Sequence, residues 1–177
     1  RHFAGLIDRV NDHRLRVVLY HIPQVAGVGI PTAVAARLRT EFPEQVVGLK
    51  DSSGDWATTE AFLDIDGLTV WPGAELPLLD ALDRGSPGCI TATANVNPGP
   101  VVEVVRQYGK GGREAAADAM GRARAYRLAL QDQPAIPTMK RLLALAHDDP
   151  TWATVRPPFV EMDEDEGRTL MDRLAAI

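Results

Sequence analysis

Four short, almost continuously apolar runs divide the chain at intervals that leave room for one helix between each pair. They are Leu15-Arg16-Val17-Val18-Leu19-Tyr20, Val46-Val47-Gly48-Leu49, Leu68-Thr69-Val70-Trp71 and Gly88-Cys89-Ile90-Thr91-Ala92. Runs without polar alternation are what parallel strands covered on both faces require. The intervening segments carry apolar residues at helical spacing. Examples are Val34, Ala35, Leu38 and Phe42 after Pro31, Leu76, Leu79 and Leu82 before Gly85, and Val101, Val102, Val105 and Tyr108 between Pro98 and Gly109. Asp55 is placed to cap a helix carrying Trp56 and Leu63, and residues 3–11 read as an earlier helix. The resulting order, α-β-α-β-α-β-α-β-α, predicts an α/β fold with a parallel sheet.

Beyond residue 112 the strand pattern stops. Segments 113–131, 135–147 and 164–176 read as three helices joined by Pro-containing loops, so the chain divides into an α/β part, 1–112, and a helical part, 113–177. With 177 residues the chain falls short of the roughly 250 typical of a complete eight-stranded β/α barrel.

Composition removes several classes of partner. The net charge is −5 with no basic stripe, which leaves nothing to neutralise nucleic-acid phosphates. The acidic stretch 161–166 reads as a solvated helix start. No apolar run approaches membrane-spanning length, and a single cysteine, Cys89, points to a reducing compartment; the expectation is a cytoplasmic protein without a membrane partner. There is no glycine-rich phosphate loop, no metal-ligand spacing and no nucleophile elbow, so neither a cofactor nor a metal is implied.

Ligands of parallel α/β sheets bind beyond the carboxyl ends of the strands. Those ends carry Tyr20-His21-Ile22-Pro23, Lys50-Asp51-Ser52-Ser53-Gly54, Pro72-Gly73-Ala74-Glu75 and Thr91-Ala92-Thr93-Ala94-Asn95. Of 19 basic residues, 16 are Arg and only Lys50, Lys110 and Lys140 are Lys, which directs attention to what an amine does and a guanidinium cannot. An amine emerging among apolar side chains is disfavoured as a cation, and a neutral amine attacks a ketone to form a Schiff base. Tyr20, at the end of the preceding strand, supplies a phenol to move protons beside it. Gly73 admits a ligand to the backbone, Glu75 at a helix start accepts from substrate hydroxyls, and Ile90 offers an apolar wall or a carbonyl. Taken singly, a strand-end Lys is more often a solvated rim charge and a strand-end Tyr an amphipathic boundary residue, and His21, though able to act as a base, reads first as structural. Turn and cap chemistry accounts for Asp51, Ser52 and Ser53 as well as anion binding does.

In order, LYHIPxxxG, VxGLKDSSGD, PGxE, GxITATANVxP, AIPTMK and RPPF resemble the second half of the dihydrodipicolinate synthase/N-acetylneuraminate lyase family, over the whole chain. That resemblance implies the TIM-type (β/α) barrel, strands five to eight only, with a C-terminal three-helix extension. It implies a class I aldolase, lyase or synthase that forms a Schiff base with pyruvate or another 2-oxo acid and is a homo-oligomer in intact form. Lys50 is then the Schiff-base lysine and Tyr20 the proton-shuttling tyrosine, with Gly73, Glu75 and Ile90 lining the substrate site. Two positions depart from the family pattern. His21 stands where asparagine is usual, and Val25 stands where lysine-pathway synthases carry a carboxylate-binding arginine, which points to the aldolase and lyase branches. The family's Gly-Thr-Thr-Gly-Glu segment, which holds the oxo acid's carboxylate, belongs to the other half. The isolated chain is therefore expected to be nearly inactive, and a non-catalytic half barrel or 2-oxo acid-binding module is the alternative. An open doubly wound sheet also fits the alternation but gives no reason for the order Tyr20, Lys50, Gly73.

Overall fold

The structure, a computed structural model, describes residues 1–177 as two compact units, Arg1–Ile90 and Thr91–Ile177. The first contains helix α1 (His2–Val10), strand β1 (Val17–His21), the short α2 (Pro23–Ala26), α3 (Thr32–Glu41), β2 (Val46–Asp51), α4 (Trp56–Leu63), β3 (Thr69–Pro72) and α5 (Leu78–Asp83). The second contains a 3₁₀ turn, Ala92–Asn95, then α6 (Gly99–Gln131), α7 (Ala135–His147), a second 3₁₀ turn, Pro150–Ala153, and α8 (Glu164–Ala175).

The three strands form one parallel sheet in the order β1-β2-β3. Tyr20 pairs with Lys50 and Lys50 with Trp71, so these residues stand side by side on one face; Leu19, Leu49 and Val70 form the adjacent row on the other. That second face closes the core of the unit, where Leu19, Leu49, Phe62 and Val70 are essentially inaccessible and Ile7, Ala35, Leu38, Val46 and Leu68 complete the cluster. Asp55 caps α4 as its position predicts, accepting from the backbone N–H groups of Ala57 and Thr58.

Two expectations about the strands change. The apolar runs predict cover on both faces, yet Val18 and Tyr20 are 45% and 47% exposed, because the helices of this unit pack on the Leu19 side alone. The fourth run, 88–92, is not a strand. Its tie to the sheet is a bond from Ile90 N–H to the Pro72 carbonyl at 3.0 Å, while the Ser86 hydroxyl donates to the Val70 carbonyl at 2.6 Å and so occupies an acceptor a fourth strand would use.

In the second unit the helices expected after Pro98 and from Arg113 merge into α6, broken at Gly111–Gly112, where Gly112 takes φ 69°. The sequence boundary after residue 112 coincides with that break, whereas the compact units part after Ile90. Helix α7 matches its predicted span, and Tyr126, Leu130, Leu142, Leu170 and Leu174 bring α6, α7 and α8 together in one core.

Candidate active site

The register of β1 on β2 brings together two side chains that lie 30 residues apart. The Lys50 ammonium donates to the Tyr20 phenol oxygen at 3.0 Å, and the same Nζ lies 4.2 Å from the Tyr20 ring centroid. Hydrogen bonding to Ser52 first and to Lys50 second holds the Tyr20 phenol below its ordinary range, because both favour the phenolate. An amine and a phenol in this arrangement can attack a carbonyl and pass protons to and from the atoms bound there.

The loop after β2 is shaped by Asp51, which points away from Lys50. Its carboxylate, only 3% exposed, accepts from Thr59 Oγ1 at 2.5 Å, Ser53 N–H at 2.9 Å and Ser53 Oγ at 3.0 Å. Turn and cap chemistry therefore accounts for Asp51 and Ser53. Ser52 is held differently. Its N–H donates to the His21 carbonyl at 2.8 Å, and its carbonyl accepts from Gln24 Nε2 at 2.6 Å. Gln24 carries no signal in the sequence beyond its place directly after the strand-end segment that closes on Pro23. His21 is structural: Nδ1 accepts from Ile30 N–H at 2.9 Å and the ring meets Phe62 edge-on at 5.2 Å.

Gly73 arrives at the same end of the sheet through a 2.6 Å bond from its N–H to the Asp51 carbonyl. A Cβ at Gly73 would fall 2.2 Å from Ser52 Oγ and 3.0 Å from the Asp51 carbonyl oxygen. Close approach at Gly73 is therefore to Ser52. Ile90 lies next to Pro72 through its N–H bond and is partly exposed. Glu75 differs from its expected setting. It does not open a helix, since α5 begins at Leu78 and the Glu75 carbonyl accepts the Leu78 N–H at 2.9 Å. It is 1% exposed. Burial, and secondarily the charge of Glu75, push the thiol of the half-buried Cys89 up to about 12, so it is held as the unreactive thiol. No group of three or more His, Cys, Asp or Glu side chains is arranged to hold a metal ion.

The dihydrodipicolinate synthetase family profile matches residues 1–177. The chain belongs to this family. A DapA-like lyase of Chloroflexus aurantiacus is 35% identical over 166 residues, covering 93% of this chain and 54% of that protein. Dihydrodipicolinate synthase from Agrobacterium tumefaciens str. C58 superposes with a TM-score of 0.67 at 28% identity, over 92% of this chain and 54% of that one. YagE, a prophage protein of the dihydrodipicolinic acid synthase family from E. coli K12 solved in complex with pyruvate, gives a TM-score of 0.83 at 23% identity, over 98% and 59%. The chain spans about half the length of the curated relatives it matches. The dihydrodipicolinate synthetase family is a group of lyases and synthases, and its barrels are the structural neighbours of this parallel α/β sheet. No helix of the chain is long and apolar enough to cross a membrane.

Proposed function

We propose that the chain carries the amine and phenol of a class I aldolase or lyase acting on pyruvate or another 2-oxo acid. The observation that carries this reading is the 3.0 Å contact of Lys50 Nζ with the Tyr20 oxygen at the carboxyl end of a parallel sheet. The bound pyruvate of YagE and the lyases among the relatives support the substrate class. In this scheme neutral Lys50 Nζ attacks the ketone carbon, Tyr20 protonates the carbonyl oxygen to give the carbinolamine, and water leaves as the imine forms. Tyr20, as phenolate, then takes a proton from the carbon next to the imine, which creates the enamine that makes or breaks the carbon–carbon bond. Gly73 and Ile90 border the substrate, and Val25 in place of a carboxylate-binding arginine favours a second substrate of the aldolase and lyase branches. Residues 1–112 correspond to the second half of a TIM-type barrel, with the run 88–92 standing at the place of its last strand, and 113–177 to the helical extension.

A second reading, 2-oxo acid binding with little turnover by the isolated chain, is favoured by one observation. The face that carries Tyr20 and Val18 is about half exposed, so little holds a substrate within the 3–3.5 Å that efficient attack needs. Exchange of the pyruvate methyl protons in D₂O, followed by NMR, separates the two. Exchange that Lys50→Arg abolishes and Tyr20→Phe slows by about 10²-fold supports the enzyme reading. Exchange that survives Lys50→Arg would refute it, and saturable pyruvate binding without exchange would favour the second.

A further inference from the structure

We propose that Trp71 is the positioning residue of Lys50, its indole laid across β2 so that the lysine side chain stands toward Tyr20. The inference rests on the reading of Lys50 as the amine of the site. Gly48, Lys50 and Trp71 share the open face of the sheet. Lys50 pairs with Trp71 across the strands, and Gly48 lies two residues, roughly 7 Å, behind Lys50 on β2. A Cβ on Gly48 would fall 2.4 Å from Trp71 Cζ3 and 3.0 Å from Cη2, so the outer edge of the indole occupies the place of a side chain at 48. Gly48 is accordingly buried, although Val18, its partner on β1, is 45% exposed.

A lysine stem is four flexible carbons long, and an empty place over Gly48 would let it lie back along the strand, away from the phenol. The indole closes that place. What remains is the arrangement observed, with Nζ 3.0 Å from the Tyr20 oxygen and 4.2 Å from the ring centroid. The indole holds the amine by exclusion rather than by a bond. Its one polar group is a donor, so it offers no acceptor to draw Nζ off the phenol. Gly48 belongs to the same device, because a side chain there would lift the indole. The Thr69 carbonyl oxygen, 2.8 Å from that Cβ, is backbone and cannot swing aside to make room.

The test is the rate at which Lys50 of the 177-residue chain is captured by pyruvate and trapped by borohydride, read by peptide mapping. Formaldehyde labelling of the same amine serves as the control, since it needs no placement against Tyr20. Trp71→Ala is expected to slow pyruvate capture by about tenfold while formaldehyde labelling stays within about twofold. Trp71→Phe, which keeps a ring over Gly48, should remain within about threefold of wild type. Equal pyruvate capture by Trp71→Ala and wild type overturns the proposal, as does a loss in Trp71→Phe as large as in Trp71→Ala. A tyrosinate absorbance titration, with Tyr20→Phe identifying its share among the three tyrosines, is the second readout and needs no Schiff base. Trp71→Ala should raise the Tyr20 midpoint as Lys50→Met does, because donation from the ammonium favours the phenolate. If pyruvate captures Lys50 in none of the proteins, the amine reading fails and the midpoint decides. A rise in Trp71→Ala then supports the positioning, and an unchanged midpoint overturns it.

Discussion

Asp51 carries the loop that presents Ser52, and the cost of altering it can be worked from its three bonds. The carboxylate is buried and acts only as an acceptor, from Thr59 Oγ1, Ser53 N–H and Ser53 Oγ. In Asp51→Ala the two hydroxyls have a fallback, since the Asp55 carbonyl lies 3.3 Å from Thr59 Oγ1 and 3.5 Å from Ser53 Oγ. The Ser53 N–H has none. An orphaned part-buried donor costs about 1 kcal/mol, the low end of the range for a buried one, and weakening the two hydroxyl bonds adds about 1 kcal/mol, giving a loss of about 2 kcal/mol. Asp51→Asn behaves differently. Its amide oxygen keeps the Ser53 N–H, its NH₂ donates to the two hydroxyls as they turn toward Asp55, and burial of a charge is relieved, so about 1 kcal/mol is lost. Urea unfolding followed by tryptophan fluorescence and circular dichroism measures both. Equal destabilisation by Ala and Asn, or an Ala variant within about 0.5 kcal/mol of wild type, would refute this account of the loop.

Gly48→Ala places a Cβ 2.4 Å from Trp71 Cζ3 and 2.8 Å from the Thr69 carbonyl oxygen, so overpacking is expected to cost about 1–3 kcal/mol and to shift the tryptophan emission. Cys89, with its thiol near 12, holds about one part in 10⁴ as thiolate at pH 8; disulfide reagents should label it more than 10²-fold slower in the folded chain than in urea, and equal rates would contradict the burial argument. The Asp55 carboxyl is held below its ordinary 3.8, first by the Thr58 hydroxyl and then by the backbone N–H groups it caps. A carboxyl lowered by folding stabilises above its ordinary value and ceases to as pH falls through the lowered one. The stability advantage of wild type over Asp55→Asn should therefore shrink below about pH 4, and an advantage constant down to pH 2 would be inconsistent with the cap carrying charge.

The sequence made the architecture legible wherever the pattern was local. Helix α7 and the Asp55 cap depend on nearest neighbours, and the structure has them where the pattern puts them, whereas α6 runs on through Gly109, where the pattern ends a helix. The neighbouring positions of Tyr20 and Lys50 followed from two strand ends, because parallel strands joined by one helix usually lie side by side. What escaped the sequence depends on the third dimension. Segment 88–92 has the composition of a strand, but the Ser86 hydroxyl takes the Val70 carbonyl, a contact that hydropathy does not encode. Glu75 occupies a strand-end motif, yet it is buried and the helix after it begins only at Leu78. The close approach of Ser52 to Gly73, 21 positions later in the chain, was likewise hidden, since it rests on the missing Cβ of that glycine.

The central claim, that Lys50 is the amine that captures a 2-oxo acid, is tested most directly by borohydride reduction in the presence of pyruvate, followed by peptide mapping. With three lysines in the chain, at 50, 110 and 140, the map is unambiguous. The account predicts a reduced pyruvyl adduct on the peptide containing Lys50 and on neither of the others. An adduct confined to Lys110 or Lys140, or none on any lysine, would contradict it.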